Sequence, residues 1–514
     1  MFYLNTNTQY ILFQQAQNSE IYVDKSMLID AISKRINTGN RYICITRPRR
    51  FGKTMNANML GAYFTKGMDG RSLFDRLAIA DTKNYGKNMN NHNVIHVDFS
   101  IQPDLCRNYQ DYIASIRKKL RYDVKEAYPH IDAEMFDSVS DLLTATSDTF
   151  IFILDEWDSI FYSDFMSQED KNSFLLFLKG LLKDKPYVEL AYMTGILPVG
   201  KYSSGSELNM FDEYNFINDC TYEDYFGFDE SEVQALCKKH RSVEYQELKW
   251  WYNGYFKQDG TSLFNPRSVV CALKDGVCLN YWTETGPMNE IADCIEHNVD
   301  AVREDMVQLV AEIPIRIELE GYSAGEKRLD TRNKILSMMV VYGFLSYHDG
   351  YITIPNHELM QKFQSVLQRN SMGEIQQIVS CSREMLDATI KRDGEKVASI
   401  LEEVHDREIP FLTYNDENSL SCVVTLCYLA ARDDYYVERE AKSGKGYVDY
   451  LFTPKKKGLP AIVLELKFGR SCKEAIAQMK EKNYVQKVAD CGEILLVGIN
   501  YDEEKHHQCV IEEY

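Results

Sequence analysis

Positive charge is scarce in this chain: 58 lysines and arginines stand against 77 aspartates and glutamates, a formal net charge of −19. So acidic a chain repels phosphate backbones, which excludes a protein that coats nucleic acid without specificity but leaves room for a local basic strip. Long apolar runs are missing too. No stretch approaches the ~20 uninterrupted apolar residues of a membrane span. The first residues lack the charged start and apolar core of a secretory signal, so no membrane partner and a cytoplasmic location are expected. The 13 cysteines form no Cys-x-x-Cys pair, and many, such as Cys44, Cys422 and Cys427, sit in apolar runs. That reads as reduced core thiols. The 10 histidines show no ligand spacing, which argues against zinc. Low-complexity tracts, repeats and long Pro/Gly linkers are absent. What is present is ample apolar material, 45% of 514 residues, enough for two to four packed domains.

One stretch stands out: Arg41-Tyr42-Ile43-Cys44-Ile45-Thr46-Arg47-Pro48-Arg49-Arg50-Phe51-Gly52-Lys53-Thr54. An apolar strand runs into a tight loop ending Gly-Lys-Thr, and a helix-like segment follows. A nucleoside triphosphate needs backbone N–H groups and a helix N-terminus aimed at its phosphates, a lysine on the β/γ oxygens and a hydroxyl for Mg²⁺. Gly52 lets the backbone approach, Lys53 brings the charge and Thr54 the hydroxyl, with Phe51 completing the expected binding loop. The usual pattern has glycine five places before Gly52; here that place is Arg47.

Downstream, Thr149 to Asp158 reads Thr-Phe-Ile-Phe-Ile-Leu-Asp-Glu-Trp-Asp, a continuous apolar run ending in acids. Strands buried on both faces of a parallel sheet read this way, and open α/β sheets place ligands at the carboxyl ends of their strands. Asp155 is therefore expected to hold Mg²⁺ and Glu156 to polarise the attacking water, with Asp158 as a helper; the plainer alternative is an acidic turn capping the next helix. The runs 93–99 and 188–194 fit the same sheet. Thr194, at a strand end, is a candidate γ-phosphate sensor or simply a turn former.

These residues carry a resemblance. Tyr22-Val23-Asp24-Lys25, the Arg47–Thr54 loop, Asp155–Asp158, Trp251-Tyr252-Asn253-Gly254-Tyr255, Asn265-Pro266 and Tyr281-Trp282 are similar to bacterial AAA-ATPase-like proteins fused to a PD-(D/E)XK nuclease. In that family the Arg-Pro-Arg-Arg-Phe-Gly-Lys loop is the norm. The resemblance spans nearly the whole chain. The implied class is α/β: a P-loop NTPase parallel sheet of AAA/STAND type over 1–205, a mostly helical middle region over 206–405, and a restriction-endonuclease-like α/β domain over 406–514.

In the middle region, a helix is expected after Asp229 or Ser231 as cap, and another opened by Asn265-Pro266. Arg267 is a surface arginine or an arginine finger. Trp251, Tyr252, Tyr255, Tyr281 and Trp282 are core aromatics or a base-stacking platform. The segment 352–354 reads as a short strand, the wing of a small helical domain.

The C-terminal hundred residues hold a second constellation. Segments 446–452 and 461–467 read as strands joined by a Lys455-Lys456-Lys457-Gly458 turn. Residues two apart share a face, so Glu465 and Lys467 project together, and Asp449 joins them if the strands are adjacent. Two carboxylates on neighbouring strands suit Mg²⁺ or Mn²⁺, with Lys467 orienting the water. A carboxylate inside an apolar run is costly unless it has a task, which favours catalysis over an alternating strand edge. This is the Asp…Glu-x-Lys arrangement of PD-(D/E)XK nucleases. The resemblance implies Glu417 as an additional metal-side ligand and Gln478 and Tyr484 in the following helix. Lys473, Lys480 and Lys487, spaced by seven, are expected along one helix face, tracking a phosphate backbone or facing water.

The expected protein uses ATP and Mg²⁺, with nucleic acid, DNA above RNA, as partner and a homo-oligomer as a further expectation. It is a nucleotide-gated nuclease acting on foreign or mobile DNA. The rival is an ATP-regulated switch that binds nucleic acid or a protein without cutting, with Asp449, Glu465 and Lys467 as remnants.

Overall fold

The computed structural model describes residues 1–199, 207–282, 300–319, 331–368, 374–405, 417–501 and 506–514. The chain divides into two compact units, Met1–Thr285 with Ile317–Glu358, and Gly286–Arg316 with Leu359–Tyr514.

The first unit is built on a parallel sheet. Its strands are β1 (Tyr42–Thr46), β2 (Asn93–Asp98), β3 (Phe150–Asp155), β4 (Val188–Gly195) and β5 (Asp212–Tyr214), in the order β2-β3-β4-β1-β5. Every residue of β1 and β3 is buried, which explains their unbroken apolar runs: with both faces covered, neither strand has a solvent side to alternate with. Removing the Ile153 side chain to Ala would cost about 2–5 kcal/mol. Helix α1 (Lys53–Phe64) follows β1 directly and is buried on most of its surface. Helices α2 (Tyr109–Ala127) and α3 (Gln168–Leu182) are opened by the side chains of Asn108 and Ser167, which accept from backbone N–H groups in the first turn. Because β4 lies between β1 and β3, the end of β3 stands two strands from the loop after β1, with the end of β4 between them.

The middle residues that belong to this unit are mainly helical. Asp229 caps α4 (Glu230–His240) in a reciprocal box with Glu232. Asn265 caps α5 (Pro266–Asp275), with Pro266 at its first position. The short strand expected at 352–354 appears as Tyr351–Thr353, paired antiparallel with Ser346–His348. Most of the aromatics lie in the interior, with Trp251 and Tyr281 half-buried against it. Tyr252, Tyr255 and Trp282 are buried, and the phenols of Tyr252 and Tyr255 donate to the carbonyls of Leu279 and Gly343, each at 2.8 Å.

The second unit carries a mixed sheet of β6 (Tyr435–Ser443), β7 (Gly446–Pro454), β8 (Ala461–Phe468), β9 (Ile494–Tyr501) and β10 (His507–Glu513), paired in chain order. Only β8 and β9 run parallel, joined by α7 (Cys472–Glu481) as a parallel pair requires. Helix α6 (Glu417–Cys427) packs on the other face, where Ser421 and Thr425 meet the Tyr450 hydroxyl at 2.7 Å.

One expectation fails here. The helix carrying Lys473 and Lys480 ends at Glu481, before Lys487. Asn483 adopts a left-handed φ of 54° and Tyr484 turns into the core, so Lys487 falls outside the helix. Lys480 pairs with Glu512 at 2.6 Å and Lys487 with Glu438, which removes two of the three from a common basic strip.

Candidate functional site

The loop after β1 closes around a lysine. Gly52 has φ +91°, a conformation open to glycine, and starts α1. The buried Lys53 ammonium donates to the carbonyls of Arg47 and Pro48, each at 3.1 Å. Burial lowers its pKa, and the carboxylates of Glu156, Asp158 and Asp155 work against that shift. Phe51 contributes backbone to the loop, while its ring is buried against Tyr255 and Phe216. Thr54 is exposed at the first turn of α1.

Arg47 does not face this loop's interior. Its guanidinium is buried, pairs with the equally buried Asp219, donates to the carbonyls of Thr46 at 2.8 Å and Tyr214 at 3.0 Å, and lies over the Phe226 ring. Burial lowers its pKa while Asp219 holds it up. Where other phosphate loops carry glycine, this one carries a staple to the segment after β5.

At the ends of β3 and β4, the Thr194 hydroxyl donates to Asp155 Oδ1, an outcome of the β3–β4 register that sets Leu154 beside Met193. Asp155 Oδ2 is buried without a partner. Burial pushes this carboxyl up to about 6, with Glu156 adding to the rise and the hydroxyls of Thr194 and Thr54 opposing it. Glu156 is half-buried and left-handed, φ 52°, a strained backbone of the kind that concentrates at functional sites. Asp158 is occupied structurally: it accepts from the N–H groups of Ile196 and Leu197, the latter at 2.8 Å. Gly195 allows this packing, since a Cβ there would stand 2.5 Å from Trp157 and from Asp158.

A cavity of about 380 Å³ opens over the loop, within the range of small-molecule sites. Its lining carries Lys25, Arg50, Lys53, Arg267 and Lys274 against a single carboxylate, Glu156. In a chain of net charge −19, that concentration of cations suits a polyphosphate. Tyr22, Val23, Phe228 and Val270 form apolar wall, suited to a base. Thr54 lines the cavity as expected, whereas Asp155 and Thr194 lie behind it, fully buried. Phe228 and Val270 were not foreseen: nothing near them in the sequence marks a ligand.

In the second unit, Asp449 and Glu465 lie one residue beyond the registered pair Tyr450 and Leu464, on adjacent strands. Asp449 Oδ2 accepts from the Leu466 N–H at 2.6 Å. Glu465 is buried; its Oε1 accepts from Lys467 Nζ at 2.8 Å and Gln478 Nε2 at 2.5 Å, and Gln478 also reaches the Tyr484 hydroxyl at 3.3 Å. Burial raises the Glu465 pKa, and Lys467 lowers it. Glu465 Oε2 is buried without a partner. Glu417 starts α6, but its side chain lies outside the described residues. Among the described residues no three His, Cys, Asp or Glu side chains gather as a metal-holding group.

The unpartnered oxygens of Asp155 and Glu465 are the observation that tests metal fitness. Each is a buried carboxylate oxygen that a divalent cation would satisfy, and the donor sets, oxygen throughout, are those of hard cations.

Residues 13–204 match the family model described as "Predicted AAA-ATPase", and residues 415–511 match the "PD-(D/E)XK nuclease superfamily". The chain therefore carries an ATPase-like domain and a nuclease-type domain, and the latter implies nucleic-acid binding. No curated protein matches the chain. Among solved structures, the Walker-type ATPase PABY2304 of Pyrococcus abyssi is similar at 10% identity, covering 67% of this chain and 96% of its own, with a TM-score of 0.34. The Aeropyrum pernix ORC2 protein is similar at 12% identity, 69% and 98% coverage, with a TM-score of 0.32. The fold is read from strand order and the two family models, not from these structures. No helix among the described residues is long and apolar enough to cross a membrane.

Proposed function

We propose that the chain, an ATPase-like domain joined to a PD-(D/E)XK nuclease-type domain, is an ATP-gated, metal-dependent DNA nuclease. The observation that carries the first half is the cavity itself: five cations and Gly52–Thr54 in its lining, with Glu156 as its lone acid. ATP seats its base against the apolar wall and its phosphates on the loop. Lys53 neutralises the β and γ oxygens, and Glu156 takes the proton of the water that attacks the γ-phosphorus as ADP leaves. Thr54 and Asp155 hold the cation, with Thr194 orienting Asp155.

In the second unit, Asp449 and Glu465 would hold a cation, with Glu417 as an additional ligand. Lys467 orients the water that attacks the scissile phosphorus, and Gln478 fixes the Glu465 rotamer. At both sites a bound Mg²⁺, with Mn²⁺ as the alternative at the second, supplies positive charge to the phosphoryl oxygens. DNA is the favoured substrate, and foreign or mobile DNA in the cytoplasm the favoured setting, by analogy with similar fusions alone. The domain division at about 205 and 405 belongs to the same proposal, as does assembly into a homo-oligomer.

Gating is the testable core. A ligand shifts an equilibrium only by its differential affinity for two states, and tenfold requires about 1.4 kcal/mol. Glu156→Gln with bound ATP should cleave DNA at a rate at least about tenfold different from the nucleotide-free protein. Equal cleavage with no nucleotide, ADP and trapped ATP would refute gating. No cleavage of DNA or RNA under any condition would favour the non-cutting switch.

A further inference from the structure

The β6–β7 hairpin ends in a tight turn at Gly444-Lys445, and that tip is fixed to the end of α7. Gly444 has φ +58°, and a Cβ there would stand 2.2 Å from the carbonyl oxygens of Lys482 and Asn483. The Lys445 N–H donates to the Lys482 carbonyl at 2.8 Å, and the Ser443 hydroxyl donates to the Tyr484 carbonyl at 2.6 Å. Gly446 faces the same corner: a Cβ there would meet the Tyr484 hydroxyl at 3.0 Å and the Lys482 stem at 3.6 Å. The Lys482 ammonium lies 5.8 Å from the centre of the Tyr484 ring. The Tyr484 hydroxyl in turn meets Gln478, which bonds Glu465. A chain of contacts therefore holds the tip beside the carboxylates of the second site.

The side chains that the tip presents to solvent differ from those around it. Lys442, Lys445 and Lys482 are exposed, and among the described residues no carboxylate pairs with them. Lys480 and Lys487, by contrast, are held by Glu512 and Glu438. In a chain of net charge −19, three unpaired cations on one tip make a local positive potential. Tyr447 stands directly opposite Lys442 across the hairpin, so the two share a face. It is 63% exposed, and among the described residues it has no hydrogen-bond or ring partner. It precedes Asp449 by two residues, about 7 Å along the strand. A lone exposed aromatic is ordinary, but one set among unpaired lysines and next to a phosphodiester site is placed for a base.

We propose that this tip is the substrate-binding edge of the second site and takes single-stranded nucleic acid, given that Asp449, Glu465 and Lys467 form a nuclease site. Tyr447 stacks on an unpaired base, and Lys442, Lys445 and Lys482 hold the phosphates on either side of it. Stacking on a side chain needs a base face that a duplex keeps covered. A duplex also carries one negative charge per ~1.7 Å of axis, twice the density of one strand, so an acidic chain with few unpaired cations repels it more strongly. Single strands of DNA and RNA share this chemistry.

The test is fluorescence anisotropy of the full chain without divalent metal, so that binding is read without cutting. The probes are a labelled oligothymidine, an oligouridine of the same length and a DNA duplex of that length. A single strand should bind at least about tenfold tighter than the duplex, and the tighter of the two single strands identifies the sugar. Tyr447→Ala should weaken single-strand binding about tenfold, whereas Tyr447→Phe, which keeps the ring, should stay within about twofold. Replacing Lys442, Lys445 and Lys482 together by Gln should flatten the slope of log affinity against log salt by about 2, at about 0.7 per lost phosphate contact. Lys480→Gln, whose ammonium is already held by Glu512, should leave that slope unchanged. Duplex bound as tightly as either single strand, or Tyr447→Ala binding like the unaltered protein, overturns the inference. Mg²⁺-dependent cleavage that persists in Tyr447→Ala and is lost in Glu465→Gln would in that case leave the nuclease reading standing. An unaltered protein that neither binds nor cleaves any of the three probes removes the nuclease reading, and the inference with it.

Discussion

Arg47→Met tests whether the departure from the usual phosphate loop is structural. The substitution keeps an unbranched apolar stem but removes the guanidinium. Asp219 then loses its partner at a site where both side chains are buried, and the carbonyls of Thr46 and Tyr214 each lose a donor. Breaking a buried pair by removing one member costs about 3–5 kcal/mol, because the remaining charge stays desolvated. Asp219 is not wholly stranded, since its Oδ1 still accepts from the N–H groups of Thr221 and Tyr222, so the lower end is expected. At about 1.5 °C per kcal/mol for a unit of this size, the first unfolding transition should fall by about 4–5 °C. Adding Asp219→Asn removes the orphaned charge while its amide oxygen can still serve those N–H groups, and should recover about half the loss. Scanning calorimetry gives the transitions, and titration below them gives nucleotide affinity, expected within about threefold of the unaltered protein. Unchanged stability with lost nucleotide affinity would refute the reasoning and place Arg47 among the phosphate ligands.

Lys53→Ala should abolish tight ATP binding in a calorimetric titration, because it removes the buried loop cation, while Glu156→Gln should bind ATP and lose turnover in a phosphate-release assay. Asp449→Asn and Glu465→Gln should each eliminate Mg²⁺-dependent DNA cleavage on gels yet leave ATP hydrolysis within about twofold; undiminished cleavage in both would move the nuclease site elsewhere. Burial lifts the Asp158 carboxyl from an ordinary 3.8 to about 6, so the folded state holds its proton more tightly than the unfolded chain. Its stabilising contribution is complete below the unfolded value and lost as pH rises through about 6. Asp158→Asn, still able to accept from Ile196 and Leu197, should flatten that decline in denaturant unfolding series between about pH 4 and about pH 7; a slope identical to the unaltered protein would show that Asp158 ionises normally.

The sequence by itself determined the local arrangements written in contiguous residues. A phosphate loop must follow a strand and open a helix, so Gly52, Lys53 and Thr54 were legible in place. Asp155 and Glu156 were legible as the acidic end of a strand buried on both faces. Asp449, Glu465 and Lys467 were legible through the period of two that puts alternate strand residues on one face. The capped helices at Asp229 and Asn265 were legible because a cap is satisfied within three residues. Tertiary structure alone decided the partners. Arg47 finds Asp219 172 positions away, Glu358 finds Ser268, Tyr281 and Trp282 across 76 to 90, and no local pattern encodes either meeting. The cavity wall of Phe228, Val270 and Arg267 likewise exists only once α5 packs beside the loop. The seven-residue lysine spacing misled for the same reason. Spacing implies a shared face only while the helix continues, and the inward turn of Tyr484 into the core ended it. Periodicity is a property of the backbone, whereas burial and charge pairing depend on which distant segments the core brings together.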